Sequence, residues 1–327
     1  MTTLLDTVGK TPLVKLEKLS DKYGANIYAK LEYFNPTSSV KDRIAKYMIE
    51  KAEKEGLIQP GDTIIENSSG NTATGLALVA KQKGYNLLIV VRDTLSPDKK
   101  RVLEAFGDNV KLIEVDSTID PSHPESYNNF AQTYANRHKD VWFLNQHDNL
   151  DNPETHYMTT GQEIYEQTGG NVDIFIAAVG TGGTLSGIGR ALREKIPGVK
   201  IYGVDPKGSV FRAAFYNQEL PKPQSHFIEG IGNALPTKNL VAQYIDEVIE
   251  IKSKQAIDTV YEVLHEEGII IGPSGGANVW GAIQMAKKHK ADKEEDRINI
   301  VTTIGDTGYK YTGTLFDKKW VEKATAE

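Results

Sequence analysis

Short apolar runs alternate with longer amphipathic segments along most of this chain, and that rhythm restricts the fold more than any other feature. Apolar runs at 26–32, 63–66, 87–91, 110–114, 174–179, 200–204, 247–251 and 298–302 have the length and β-branched content of strands. Segments at 40–55, 71–83, 97–106, 125–138, 153–167, 184–195, 253–266 and 275–288 read as helices. Repeated βα units predict an α/β fold: open, twisted, mostly parallel sheets with helices on both faces. A polar stretch at 145–152 breaks the rhythm and marks a domain boundary, and the proline-containing stretches 116–125 and 217–224 read as loops.

Composition removes several classes of function. There is no cysteine, so disulfides, thiolate nucleophiles and cysteine-ligated metals are excluded. The seven histidines form no His-x-x-x-His pair, and no metal site is expected. The net charge is -6 and the basic clusters are short, which argues against a nucleic-acid partner. The longest clean apolar runs span a strand, well short of the roughly 20 residues of a membrane helix. The N-terminus carries no basic-then-apolar signal pattern, so a cytoplasmic location is the default expectation.

The unusual residues sit where strands hand over to helices, the edge at which open α/β sheets bind ligands. In Ser39-Val40-Lys41-Asp42-Arg43, Ser39 suits an N-cap and Asp42 a capping box, which puts Lys41 in the first helical turn. The partial positive charge of a helix start disfavours an ammonium there and favours a neutral amine, the form that makes a Schiff base. Most single lysines simply face solvent, and Lys41 would not stand out alone. The turn Glu66-Asn67-Ser68-Ser69-Gly70-Asn71-Thr72 offers more hydroxyl, amide and N–H groups than capping needs, and suits a carboxylate. Gly180-Thr181-Gly182-Gly183-Thr184 can converge its N–H groups on a phosphate, although a plain tight turn competes. It is neither a P-loop nor Gly-x-Gly-x-x-Gly, since Leu185 replaces the last glycine. In Gly272-Pro273-Ser274-Gly275-Gly276, Ser274 can make one hydrogen bond at a helix start. A lysine, a carboxylate cradle and a phosphate nest in one α/β chain fit an amino acid joined to a phosphorylated aldehyde.

With these motifs the chain resembles the cysteine synthase and cystathionine β-synthase family, the fold-type-II pyridoxal-phosphate enzymes with a tryptophan synthase β-like fold. Thr7-Val8-Gly9-Lys10-Thr11-Pro12-Leu13, Lys30-Leu31-Glu32, Asn35-Pro36 and Glu229-Gly230-Ile231-Gly232 extend the resemblance in the family's order over nearly the whole chain. The resemblance implies that Lys41 forms the Schiff base with pyridoxal 5'-phosphate and moves the Cα proton. Asn71 would bond the cofactor's phenolic oxygen, Gly180, Thr181, Gly182, Gly183 and Thr184 its phosphate, and Ser274 its pyridine nitrogen. Ser68, Ser69, Asn71, Thr72 and Gln146 would hold the substrate carboxylate, while Gly230, Ile231 and Gly232 would line the pocket. A serine at the pyridine nitrogen makes a weaker electron sink than an acid would, which favours β-replacement over transamination.

The implied architecture is a small mobile domain, 41–148, and a larger one from 1–40 and 149–327. The implied assembly is a homodimer. The leading expectation is synthesis of cysteine from O-acetyl- or O-phospho-L-serine and sulfide. Condensation with a larger thiol or an amine is the alternative, because Asn233-Ala234-Leu235 departs from the aromatic-containing pattern after Gly-Ile-Gly. The segment 305–311 leans toward the cystathionine branch, although that branch's haem-binding and regulatory segments have no counterpart in these residues. Release of sulfide from cysteine, and a catalytically silent binding protein, are further alternatives.

Overall fold

The computed structural model describes residues 2–120 and 122–326. In chain order the regular elements begin with β1 (Leu13–Lys15), α1 (Glu17–Tyr23), β2 (Asn26–Leu31), α2 (Lys41–Lys54), β3 (Thr63–Asn67) and α3 (Asn71–Lys83). There follow β4 (Asn86–Arg92), α4 (Pro97–Glu104), β5 (Val110–Val115), α5 (Phe130–Arg137), β6 (Val141–Phe143), α6 (Asp151–Met158) and α7 (Thr160–Thr168). The rest are β7 (Ile174–Ala178), α8 (Gly183–Lys195), β8 (Lys200–Pro206), α9 (Phe211–Phe215), β9 (Glu247–Ile251), α10 (Ser253–Glu267), α11 (Pro273–Lys288), β10 (Asn299–Ile304) and α12 (Lys318–Thr325).

The chain divides into two compact units, Met1–Val8 with Asn35–Asp151, and Gly9–Phe34 with Asn152–Glu327. The first unit therefore starts before residue 41 and also holds a piece of the N-terminal segment. Its sheet has the order β5-β4-β3-β6, all parallel. Order reverses between β3 and β6, the switch point at which such sheets open a crevice at their carboxyl ends. The second unit has the order β1-β2-β10-β7-β8-β9, parallel except for the antiparallel β1–β2 pair. Its switch lies between β10 and β7.

The inner strands are covered on both faces, which is why β7 and β10 are buried nearly throughout, while the edge strands β5 and β9 carry charged residues at exposed positions. In β7, Ile174 and Ile176 pack into one core with α1, α10 and α11, while Phe175 and Ala177 pack into another with Leu185 and Ile188 of α8. In the first unit Ile64 faces α2 and α3, and its neighbour Ile65 faces Ala131 of α5. The single helix expected at 153–167 is two, α6 and α7. Thr159 is the break: its hydroxyl bonds the carbonyl of Thr155 at 2.6 Å, and its backbone leaves the helical region. The helix expected at 125–138 begins only at Phe130, because the carbonyls of Asp120, His123 and Ser126 and the Asp120 carboxylate accept bonds that organise turns ahead of it.

Candidate active site

In the first unit, regular helix starts at Lys41 with Val40, not Ser39, in the N-cap position; Ser39, one residue earlier, still accepts the Lys41 N–H on its Oγ at 3.1 Å. Asp42 does not simply close a capping box, because its carboxylate holds the backbone N–H (2.6 Å) and the hydroxyl of Thr37. Gly75 of α3 lies against this turn: a Cβ there would sit 3.1 Å from the Lys41 carbonyl oxygen. The small residue lets α3 approach, which brings the helix that starts at Asn71 alongside Lys41.

Ser68 Oγ accepts the N–H groups of Gly70 (3.4 Å) and Ala73 (3.3 Å), so one hydroxyl of the turn does cap α3. The others have different duties. Ser69 bonds Tyr127, and Thr72 donates its hydroxyl to Gln146 Oε1 at 2.7 Å. Gln146 Nε2 donates to the Asn67 carbonyl at 3.3 Å. The structure thus brings the Ser68–Thr72 turn and Gln146 together at the β3/β6 switch point, since pairing of Thr63–Ile65 with Val141–Phe143 sets their heights. Asn67 also anchors the neighbouring segment by donating to the carbonyls of Tyr127 and Asn128. Burial pushes the Tyr127 phenol up to about 12, with the Glu66 charge adding to the effect. The Arg92 guanidinium stacks 4.6 Å from its ring centroid.

Two groups here escaped sequence reasoning. Glu66, the last-but-one residue of β3, is buried; burial pushes its carboxyl up to about 8, against the pull of backbone N–H bonds from Gln146, Asn67 and Asn145. Its signal was a charge inside a run otherwise fit for a buried strand. His147 follows Gln146 and is half-buried; loss of solvent and, secondarily, the charge of Lys41 lower it to about 4. A base depressed in the fold takes up its proton later than it does unfolded. Stability from neutral His147 is therefore complete above pH 6.5 and is lost as pH falls toward 4. Denaturant unfolding of the wild type at pH 7 and pH 5 should show about 2 kcal/mol of this loss, absent in His147→Gln. Equal losses in both proteins would show that His147 is not the linked group.

In the second unit, β7 ends at Ala178 and α8 begins at Gly183, with Gly180-Thr181-Gly182 between. Gly182 has φ +89, a left-handed conformation that glycine adopts without cost. The loop is enclosed by backbone: a Cβ on Gly180 would lie 2.6 Å from the Gly230 carbonyl oxygen, and one on Gly182 2.7 Å from the Leu240 nitrogen. Asn152 and His156, one turn apart on α6, each hold one threonine. Asn152 Nδ2 donates to Thr181 Oγ1 at 3.0 Å, and His156 Nε2 meets Thr184 Oγ1 at 3.2 Å, with Nδ1 on Thr160 Oγ1. A neutral imidazole that receives the Thr160 proton and donates from Nε2 leaves the Thr184 hydroxyl proton directed elsewhere. Neither residue was singled out from the sequence, where they are only an Asn and a His spaced i, i+4.

Gly230, Ile231 and Gly232 run beside the end of β7, with the Gly232 N–H on the Val179 carbonyl at 2.7 Å. The Ile231 side chain is packed in the core, which leaves its backbone to any pocket. Ser274 is half-buried at the start of α11, and a Cβ on Gly230 would lie 4.0 Å from the Ser274 Cβ. The second unit therefore gathers the glycine turn, the Gly230–Gly232 stretch and Ser274.

A pyridoxal-phosphate-dependent enzyme model matches residues 4–303. The chain belongs to that family. Cysteine synthase 1 of Neurospora crassa is 39% identical over 98% of this chain and 84% of its own length. Cysteine synthase of Staphylococcus aureus is 37% identical over 94% of each. Among solved structures, an O-ureido-L-serine synthase superposes with a TM-score of 0.86 at 33% identity, covering 97% of this chain and 96% of that one. A hydrogen sulfide-producing enzyme from Fusobacterium nucleatum gives 0.85 at 34%, covering 95% and 98%.

This pyridoxal-phosphate enzyme of β-replacement has residues that fit its cofactor. The turn has no room for side chains at Gly180, Gly182 and Gly183, leads into a helix start that favours an anion, and carries two threonines held by α6. Among the described residues no helix is long and apolar enough to cross a membrane, and no group of three His, Asp or Glu could hold a metal.

Proposed function

We propose that the enzyme makes L-cysteine from O-acetyl- or O-phospho-L-serine and sulfide. The Cβ–O bond of the donor breaks with release of acetate or phosphate, and a Cβ–S bond forms. The observation that supports this most is identity of 37–39% over 94–98% of this chain to proteins named cysteine synthase, and this chain carries a helix-start lysine and a turn suited to a carboxylate. When bound, pyridoxal phosphate supplies the electron sink that makes the Cα proton acidic and the β-substituent a leaving group.

The chain's own residues do the rest. Lys41 is the amine that carries the cofactor covalently, and it takes and returns the proton at Cα. Gly180, Thr181, Gly182, Gly183 and Thr184 bind the phosphate. Asn71 bonds the cofactor's phenolic oxygen, and Ser274 faces the pyridine nitrogen with a neutral hydroxyl. Ser68, Ser69, Asn71, Thr72 and Gln146 orient the donor's carboxylate, which is consistent with the Thr72–Gln146 bond. The backbone at Gly230, Ile231 and Gly232 borders the side at which the nucleophile arrives. The family resemblance also supports a cytoplasmic homodimer, which sedimentation of the purified enzyme tests.

A second reading is condensation with a nucleophile larger than sulfide. Near-equal likeness to an O-ureido-L-serine synthase and to a hydrogen sulfide-producing enzyme favours keeping it. So does the stretch after Gly232, where Leu235 is exposed and the Asn233 N–H is fixed on Ser209 Oγ at 3.1 Å. The holoenzyme should be given O-acetyl-L-serine, O-phospho-L-serine, serine or cysteine with sulfide, homocysteine or an amine, and the product identified by mass spectrometry. Cysteine from sulfide is expected; turnover only with a larger acceptor selects the second reading.

A further inference from the structure

The buried strand Thr63–Asn67 carries a carboxylate near its end. Glu66 is 1% exposed, a position where a leucine would seal the sheet without the cost of removing a polar group from water. What the carboxylate does that leucine could not is accept. Its Oε1 takes the Asn67 N–H at 3.0 Å, and its Oε2 takes the Gln146 N–H at 3.1 Å. The Asn145 N–H is a further donor.

These donors belong to two segments 80 residues apart that meet only because β6 pairs with β3. Asn67 leads directly into Ser68–Thr72, while Asn145 and Gln146 follow β6. The second segment needs restraint. Asn145 has φ +57, a left-handed backbone that is unfavourable for a residue with a Cβ and persists only where its surroundings hold it. Above Glu66, the Gln146 side chain closes the arrangement by bonding Thr72 Oγ1 at 2.7 Å and the Asn67 carbonyl at 3.3 Å. The Tyr127 phenol also faces this carboxyl, and the Arg92 guanidinium stacks on its ring.

We propose that Glu66 is a positioning residue for donor binding, joining the Ser68–Thr72 turn to Gln146 so that the donor's carboxylate meets a preformed cradle. This inference rests on the reading that those groups hold that carboxylate. It predicts an effect on one substrate only. In a Glu66→Gln holoenzyme one acceptor oxygen becomes an amide donor, so at least one of the three N–H groups faces an N–H.

The KM for O-acetyl-L-serine should rise about 10-fold, the penalty of leaving one buried N–H without its acceptor. The KM for sulfide, kcat and the affinity for pyridoxal phosphate measured by absorbance should stay as in the wild type. If the amide variant does not fold, Glu66→Asp keeps the carboxyl group, withdraws it from both segments, and should give the same selective rise. Combined with Gln146→Ala, either substitution should add less than its separate effect, because both act through one group. An unchanged donor KM, or parallel changes in both KM values, while Gln146→Ala alone weakens the donor, overturns the role of Glu66. A donor KM that ignores both Gln146→Ala and Thr72→Ala overturns the carboxylate-site reading beneath it.

Discussion

Replacing Lys41 with alanine is expected to slow turnover by about 10³–10⁴-fold while leaving the fold intact. The structural part follows from the position. Lys41 is the first residue of α2, its N–H is on Ser39 Oγ, and its carbonyl packs toward Gly75. All of those contacts are backbone and survive the substitution, and alanine suits a helix at least as well as lysine. The chemical part follows from the amine being both the attachment of the cofactor and the base at Cα. Borohydride reduction followed by peptide mass spectrometry should place the cofactor on Lys41 in the wild type and nowhere in the variant. A Lys41→Ala enzyme of native rate, with the label on another lysine, would remove the assignment.

Gly187→Ala should be the most damaging of the single-methyl changes near the phosphate loop. Gly187 lies in α8 where α6 crosses it. A methyl there overlaps the Pro153 carbonyl oxygen and falls 2.7 Å from His156 Cβ and 2.9 Å from the Tyr157 nitrogen. These are backbone atoms or a first side-chain carbon, and none can swing aside. Better helix propensity contributes about 1 kcal/mol in favour of alanine, while overpacking costs about 1–3 kcal/mol or more, so the steric effect wins. The expected result is a Tm lowered by several degrees.

Binding should change with it, because α6 carries Asn152 and His156. Moving α6 away from α8 detaches both threonines from their supports. Affinity for pyridoxal phosphate should fall more than affinity for pyridoxal, which lacks the phosphate. A variant with native Tm and native preference for the phosphorylated cofactor would show that α6 does not brace the loop.

Much of the fold was legible because it is written locally. The helix at 71–83 and the strand at 247–251 agree with their sequence-derived bounds: the helix runs from the polar Ser-Ser-Gly turn to Gly84, and the strand intersperses apolar residues with Glu247 and Glu250. Leu13–Lys15 and Val141–Phe143 were not legible as strands. Each is three residues long, half-buried, and defined only by its partner. The split of α6 from α7 was hidden as well, since the period continues through Thr159. Gly161 shows the tertiary reason for the change of course: a Cβ there would be 3.3 Å from the His156 carbonyl and 3.4 Å from Ile188 Cα.

At the site, Lys41 and the glycine turn are conspicuous by type and position. Glu66, His147, Asn152 and His156 are ordinary residues until their burial and partners are known.

By itself, the sequence determined the βα rhythm, the helix starts and the chemistry offered at each turn. Those depend on hydrogen bonds and side-chain periods that close within about four residues. Tertiary structure alone decided that β6 lies beside β3. It thereby placed Gln146 on Thr72 and Glu66, 74 and 80 positions away. Strand pairing leaves no such short-range mark. A strand's partners are chosen by burial of both faces and by long-range backbone bonds, and any apolar run of similar length could have supplied them.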